Sequence, residues 1–282
     1  MRMKTIAILG TGTMGAGIAQ VAAQSELDVI FWNRRGSSVE KGLAGIRKSL
    51  SRLLKKERIT QADHDATLAR IRGGTALEDV KKAQVVIETV PEDPELKRDL
   101  FERLNGICAD DVIFASNTSS LSITQLARDS GRPELFIGMH FFNPVPAMRL
   151  VEIVRGFETT DATTARITSL AERLGKVPIS VKDMPGFVVN RVVMPMINEA
   201  AHALMQGVAE ARDIDECMKL GCNHPMGPLA LADLVGLDIV YAILDTLHRE
   251  FGVAHYRPCP LLRKHVEAGW LGTKTGRGFY KY

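Results

Sequence analysis

The sequence predicts an α/β protein: a doubly wound sheet with an inserted helical pair in residues 1–183, then an all-α domain in residues 184–282. Three observations predict it. Short β-branched runs alternate with segments of helical spacing through the first part of the chain, as parallel strands joined by crossover helices do. A glycine-rich turn, Gly10 to Gly15, separates the first such run from the first helical segment. After Asp183 the chain is broken by Met184-Pro185-Gly186, and most of the remaining chain has helical spacing.

Taken in order, Thr5–Leu9 reads T-I-A-I-L and is bounded by Gly10, which suits a strand buried on both faces. Met14–Gln24 reads as a helix and Asp28–Trp32 as a second strand. The long segment Ser37–Lys56 opens with Ser37 and Glu40 at capping-box spacing, and Thr60 with Asp63 opens another helix in the same way. These two helices are longer than a minimal β-α-β crossover needs, so they are available for something besides covering the sheet. Val85–Thr89, Val112–Ala115, Phe136–His140, Leu150–Val154 and Val177–Val181 are the further predicted strands. No internal repeat or low-complexity tract is present.

Composition narrows the class. With 45% hydrophobic and 24% charged residues in 282, the chain is an ordinary globular sequence. Its 36 basic against 33 acidic residues give a net +3, too balanced to argue a nucleic-acid or membrane partner. Cys108, Cys217, Cys222 and Cys259 match no zinc or dithiol spacing, so reduced, unpaired cysteines and no metal are expected. No apolar run approaches a membrane span, and Met1–Leu9 lacks the pattern of a removable leader. A cytoplasmic location is the expectation.

The glycine turn carries the first functional signal. In G-x-G-x-x-G between a strand and a helix, Gly10 makes the tight turn, Gly12 admits a pyrophosphate, and Gly15 allows close helix–strand packing. The helix opening at Thr13 and Met14 then turns its free amides toward the phosphates. This is the fingerprint of a Rossmann dinucleotide site. An acidic residue is expected at the end of the second strand to bind the adenosine ribose, but Asn33 stands there, followed by Arg34 and Arg35. A carboxylate repels a 2′-phosphate, whereas an amide beside two guanidiniums accepts one. NADP(H) is therefore the expected cofactor, with NAD(H) as the alternative.

Longer motifs extend the reading. F-A-S-N-T-S-S-L-S-I from Phe114, G-M-H-F-F-N-P-V-P from Gly138, M-R-L-V-E-I-V from Met148, D-M-P-G-F-V-V-N-R from Asp183 and K-T-G-R-G-F-Y from Lys274 together resemble the 3-hydroxyacyl-CoA dehydrogenase family. The resemblance runs nearly end to end and is nearest to the short, stand-alone bacterial members. It implies interconversion of acetoacetyl-CoA and (S)-3-hydroxybutyryl-CoA, in butanoate and fatty-acid metabolism. By position it implies His140 as catalytic base, Glu152 as its orienting carboxylate, and Ser119 and Asn190 as substrate-polarising groups. It further implies cofactor contacts at Glu92, Lys97, Ser119, Asn143 and Lys274, and coenzyme A contacts at Ser49 and Lys56.

The chemistry of these residue types agrees. Moving a hydride at C3 requires a proton to move at the C3 oxygen, and histidine is the side chain that titrates near neutral pH. A carboxylate on the other ring nitrogen fixes the tautomer and stabilises the imidazolium. Taken alone, His140 reads as a satisfied structural residue, Ser119 as a cap and Asn190 as a backbone partner; the motif context reverses this. Glu152, in an apolar strand, needs a partner. Asn33 departs from the family, most of whose members carry Asp there. Two other functions stay open: a dehydrogenase of a free hydroxy or sugar acid, and a non-catalytic dinucleotide-binding protein, since a lens crystallin resembles this family. Intact His140, Glu152 and Asn190 argue against the latter. Apolar helical segments near Val192 and Leu229 imply a homodimer formed through the C-terminal domain.

Overall fold

The computed structural model describes residues 3–282; Met1 and Arg2, the start of the Met1–Leu9 segment, lie outside the described residues. The chain divides into two compact units, Met1–Met184 and Pro185–Tyr282.

The first unit is built on β1 (Thr5–Leu9), whose side chains from Ile6 to Leu9 are fully buried because the sheet is covered on both faces. The chain continues through α1 (Thr13–Gln24), β2 (Asp28–Trp32), α2 (Gly36–Lys55), α3 (Gln61–Ala69) and β3 (Ile71–Gly74). It then forms β4 (Val85–Glu88), α4 (Pro94–Ile107), β5 (Ile113–Ser116), α5 (Ile123–Asp129) and β6 (Phe136–Phe141). Finally come β7 (Leu150–Arg155), α6 (Asp161–Arg173) and β8 (Val177–Lys182). All eight strands join one sheet, ordered β3-β2-β1-β4-β5-β6-β7-β8. The pairs are parallel except β6 with β7.

Strand order reverses at β1, with β2 on one side and β4 on the other, so a crevice opens at their carboxyl ends. The helices are fixed by their apolar stripes. α4, for example, places Phe101 against Phe114 and Phe136, with ring centroids 5.7 and 4.8 Å apart. Its start is set by Asp93, whose carboxylate accepts from the Glu95 and Leu96 amides, with Pro94 at the first helical position.

Three features differ from the sequence reading. β3 is not predicted: I-R-G-G carries two glycines and no alternation, and it becomes a strand only by pairing with β2 at the sheet edge. The helices α2 and α3 therefore belong to a crossover that ends in this strand, and α2 itself covers the sheet with Val39, Ile46 and Leu50. The Ser37–Glu40 capping box does not form. The N-cap of α2 falls two residues earlier, at Arg35, with no side-chain cap, because Asn33 Oδ1 accepts from the Arg35 amide and starts the turn there. The Thr60–Asp63 box does form.

The second unit is all-α: α7 (Val189–Met205), α8 (Ala211–Cys222), α9 (Pro228–Val235), α10 (Leu237–Phe251) and α11 (Pro260–Glu267). They enclose a core that includes Ile197, Leu229, Leu237, Val240, Leu244 and Leu262. Two buried carboxylates organise it. Asp215 accepts from the Leu229 and Ala230 amides at 2.8 and 2.9 Å, capping α9 from another helix. Asp233, fully buried, accepts from the Phe279 and Tyr280 amides, both at 2.9 Å, and from the Tyr282 hydroxyl at 3.2 Å. Asp233 thus draws the last residues into the core. Among the described residues, no helix is long and apolar enough to cross a membrane, and no group of three or more His, Cys, Asp or Glu could hold a metal ion. All four cysteines are free.

Candidate active site

The crevice at the switch point is a cleft of about 680 Å³, lined by residues that include Gly10, Gly12, Thr13, Asn33, Ser38 and Lys41. Its floor is the glycine turn. A Cβ on Gly15 would lie 1.9 Å from the Gly10 carbonyl oxygen, so only glycine lets α1 approach β1 this closely. A Cβ on Gly12, by contrast, would meet nothing within 4 Å, leaving its backbone open. No side chain caps α1, so its first-turn amides, around half-buried Met14, remain for a ligand. These features fit a dinucleotide pyrophosphate.

At the far end of the turn, Asn33 Nδ2 donates to Thr11 Oγ1 at 3.3 Å, and Thr11 Oγ1 donates to the Ser38 carbonyl at 2.8 Å. Asn33 thus joins the cleft wall where a ribose-binding acid was expected. Arg34 and Arg35 are exposed and do not line the cleft. The cation that lines it is Lys41.

The second cluster lies on β6 and β7. Their antiparallel register sets His140 directly opposite Glu152, which is why a twelve-residue offset becomes a side-chain pair. His140 Nδ1 and Glu152 Oε2 are 2.7 Å apart, both buried. A carboxylate at this distance fixes the tautomer and the orientation of the ring. The Phe142 ring, with its centroid 4.5 Å from that of His140, packs against the imidazole. Glu152 has the partner that its apolar strand demanded.

Beside this pair, a loop after β5 is gathered by one carboxylate. Glu92 Oε1 accepts from the Thr118 hydroxyl at 2.5 Å, the Ser119 amide at 3.0 Å and the Ser120 amide at 3.2 Å. Asn117 Oδ1 accepts from the Phe141 amide at 2.9 Å, tying the same loop to the strand that carries His140. Lys97 is fully buried, with Nζ 2.6 Å from Glu88 Oε1 and 3.3 Å from Glu92 Oε2. The ammonium is thus shared between two carboxylates. Burial pushes Glu92 up, but Lys97 and the loop's hydrogen bonds outweigh it and hold the carboxyl below the usual range. Burial wins at Glu88, which is raised even though Lys97 opposes the shift.

The remaining expected residues are placed individually. Ser49 is half-buried on α2 and Lys56 exposed at its C-cap, seven residues and two turns apart on one face. Asn143 is exposed beside Pro144. In the second unit, Asn190 is buried in the first turn of α7, and Lys274 Nζ bonds Asp238 Oδ1 at 2.5 Å. Sequence reasoning missed Glu88, Asn117 and Lys41. A carboxylate closing the apolar run V-V-I-E was the available signal for the first.

A sheet wound about a switch point, a glycine turn open to a cleft and a buried histidine–carboxylate pair together define a dinucleotide-binding oxidoreductase. Residues 5–184 match the family model of the 3-hydroxyacyl-CoA dehydrogenase NAD binding domain, and residues 186–282 that of the 3-hydroxyacyl-CoA dehydrogenase C-terminal domain. The chain is 52% identical over 275 residues to a probable 3-hydroxybutyryl-CoA dehydrogenase of Deinococcus radiodurans, covering 98% of this chain and 99% of that one. It is 47% identical over 277 residues to the 3-hydroxybutyryl-CoA dehydrogenase of Clostridioides difficile, with 98% and 99% covered. The crystal structure of (S)-3-hydroxybutyryl-CoA dehydrogenase PaaH1 from Ralstonia eutropha superposes with a TM-score of 0.97 at 52% identity, covering 100% of this chain and 99% of that chain. The chain belongs to the 3-hydroxyacyl-CoA dehydrogenase family, and its cofactor is a nicotinamide dinucleotide.

Proposed function

We propose that this enzyme interconverts acetoacetyl-CoA and (S)-3-hydroxybutyryl-CoA in the cytoplasm. The observation that carries the reading is the buried His140–Glu152 pair, an acid/base group with its tautomer fixed, on the sheet that carries the dinucleotide cleft. Hydride exchange at C3 of the acyl chain is the chemistry a bound nicotinamide supplies. His140 gives or takes the proton on the C3 oxygen through Nε2, while Glu152 stabilises the imidazolium. Ser119, held by Glu92, donates toward the developing oxyanion, and the resemblance gives Asn190 the same task. Glu92 and Asn143 serve the cofactor, Lys97 acts through Glu92, and Lys274 takes the cofactor role that the motif gives it. Ser49 and Lys56 present one face of α2 to the coenzyme A phosphates.

On this reading residues 1–183 form the dinucleotide domain, and residues 184–282 serve substrate binding and homodimerisation. Val192, Val208, Leu220 and Leu234, all more than half exposed, support an apolar contact face there. NADP(H) is the preferred cofactor, since no carboxylate stands at Asn33 to repel a 2′-phosphate. The test crosses acetoacetyl-CoA, longer 3-oxoacyl-CoAs and free 3-oxo acids with NADH and NADPH, alongside mass by light scattering. Turnover of the thioesters with NADPH, and a particle of twice the 31.0 kDa chain mass, are expected. Turnover of free acids alone would overturn the substrate, preference for NADH the cofactor, and a monomer the assembly.

A further inference from the structure

The cleft residues contributed by α2 are Ser38, Lys41, Gly42 and Gly45, at spacings i, i+3, i+4 and i+7 along the helix. They form one stripe facing the cleft. That stripe is pressed against the glycine turn: a Cβ on Gly42 would lie 2.8 Å from the Thr11 carbonyl oxygen and 2.7 Å from the Phe31 ring. The close approach brings the neighbouring Lys41 alongside Thr11 and Asn33, at the end of the cleft where the second strand delivers its ribose-binding position.

The electrostatics of this end are one-sided. Lys41 lines the cleft, and no acidic residue does. Among the described residues, Lys41 has no carboxylate partner, whereas Asn33, Thr11 and Ser38 are already bonded to one another. An uncommitted ammonium beside a neutral amide favours an added anion on the ligand. Arg34 and Arg35 are exposed, as Lys41 is, but unlike Lys41 they lie outside the lining.

We propose that Lys41, and not Arg34 or Arg35, is the residue that reads the 2′-phosphate of the cofactor's adenosine ribose. The proposal rests on the NADP(H) preference and names the side chain that produces it. A single ammonium–phosphate contact at a partly open site sets selectivity on the order of ten- to a hundredfold.

The test uses direct binding rather than turnover. Isothermal titration calorimetry measures 2′,5′-ADP and 5′-AMP, fragments that differ only in the 2′-phosphate, on wild type, Lys41→Ala, Lys41→Arg and the Arg34→Ala/Arg35→Ala double variant. Wild type is expected to favour 2′,5′-ADP. Lys41→Ala should weaken 2′,5′-ADP about ten- to a hundredfold while moving 5′-AMP less than about twofold, and Lys41→Arg should restore the preference. The double arginine variant should keep it, and the wild-type preference should shrink with added salt. Loss of preference in the arginine variant, with Lys41→Ala unchanged, would overturn the assignment to Lys41 and leave the cofactor reading standing. A wild type that binds 5′-AMP as tightly as 2′,5′-ADP would overturn the cofactor reading, and this proposal with it.

Discussion

At the scale of single residues, His140 and Glu152 form a cross-strand pair 2.7 Å apart. His140→Ala should lower the catalytic rate roughly 10²- to 10⁴-fold while leaving dinucleotide binding intact, as titration of bound NADPH fluorescence would show. Near-normal turnover would remove His140 from the acid/base role. Glu152→Gln should also fall on kcat rather than KM, since orientation and charge matter most in the transition state; the double variant should lose little more than the worse single one. The pair was legible in the sequence only through the family motifs that carry both residues; strand pairing is what turns their offset into a contact. Glu88, Asn117 and Lys41 were not, because their roles depend on which strand or helix folds against them. A buried ammonium such as Lys97 reads in sequence like any surface lysine.

At the scale of elements, α2 is the informative case. Its length was legible from spacing, but its start was not: Ser37 and Glu40 match the capping pattern, yet Asn33 begins the turn sooner and moves the N-cap two residues back, to Arg35. Likewise β3 is invisible in I-R-G-G because pairing with β2, not local propensity, makes it a strand. The same helix carries Ser49 and Lys56 on one face. Lys56→Ala is expected to raise KM for acetoacetyl-CoA about threefold to thirtyfold, with kcat changed less than about twofold, since a contact to a remote phosphate contributes to binding in ground and transition states alike. Measured at low ionic strength, an unchanged KM would take Lys56 out of the substrate site.

At the scale of the whole molecule, the two units answer acid differently. In the second unit, His265 Nδ1 is buried without a hydrogen-bond partner among the described residues, its ring is packed against Trp270 and Phe279, and burial lowers its pKa. A histidine lowered on folding binds more protons when unfolded, so its contribution to stability is present above its unfolded value of about 6.5 and is lost as pH falls below it. Urea midpoints taken at pH 7.5 and 5.5 should therefore drop in wild type and drop less in His265→Phe; parallel losses would exclude His265 as the cause. In the first unit the corresponding group is Glu92, lowered on folding, whose contribution fades only in the carboxylate range, below about 4.3.

The carboxylate of Asp233 has a consequence in time. It is synthesised 46 residues before the Phe279 amide that donates to it, so on the ribosome it waits, a polar group that the core cannot close over without its partners. The strands of the sheet unit are complete by Lys182. Translation therefore orders assembly: the sheet can fold on the emerging chain, while the helical unit stays open until residues 279–282 arrive. Nascent chains arrested with Trp270 exposed beyond the tunnel should show a protease-resistant N-terminal fragment and a digestible C-terminal half. Arrest after Tyr282 has emerged should protect both; equal protection at the earlier point would show that the helical core closes without residues 271–282.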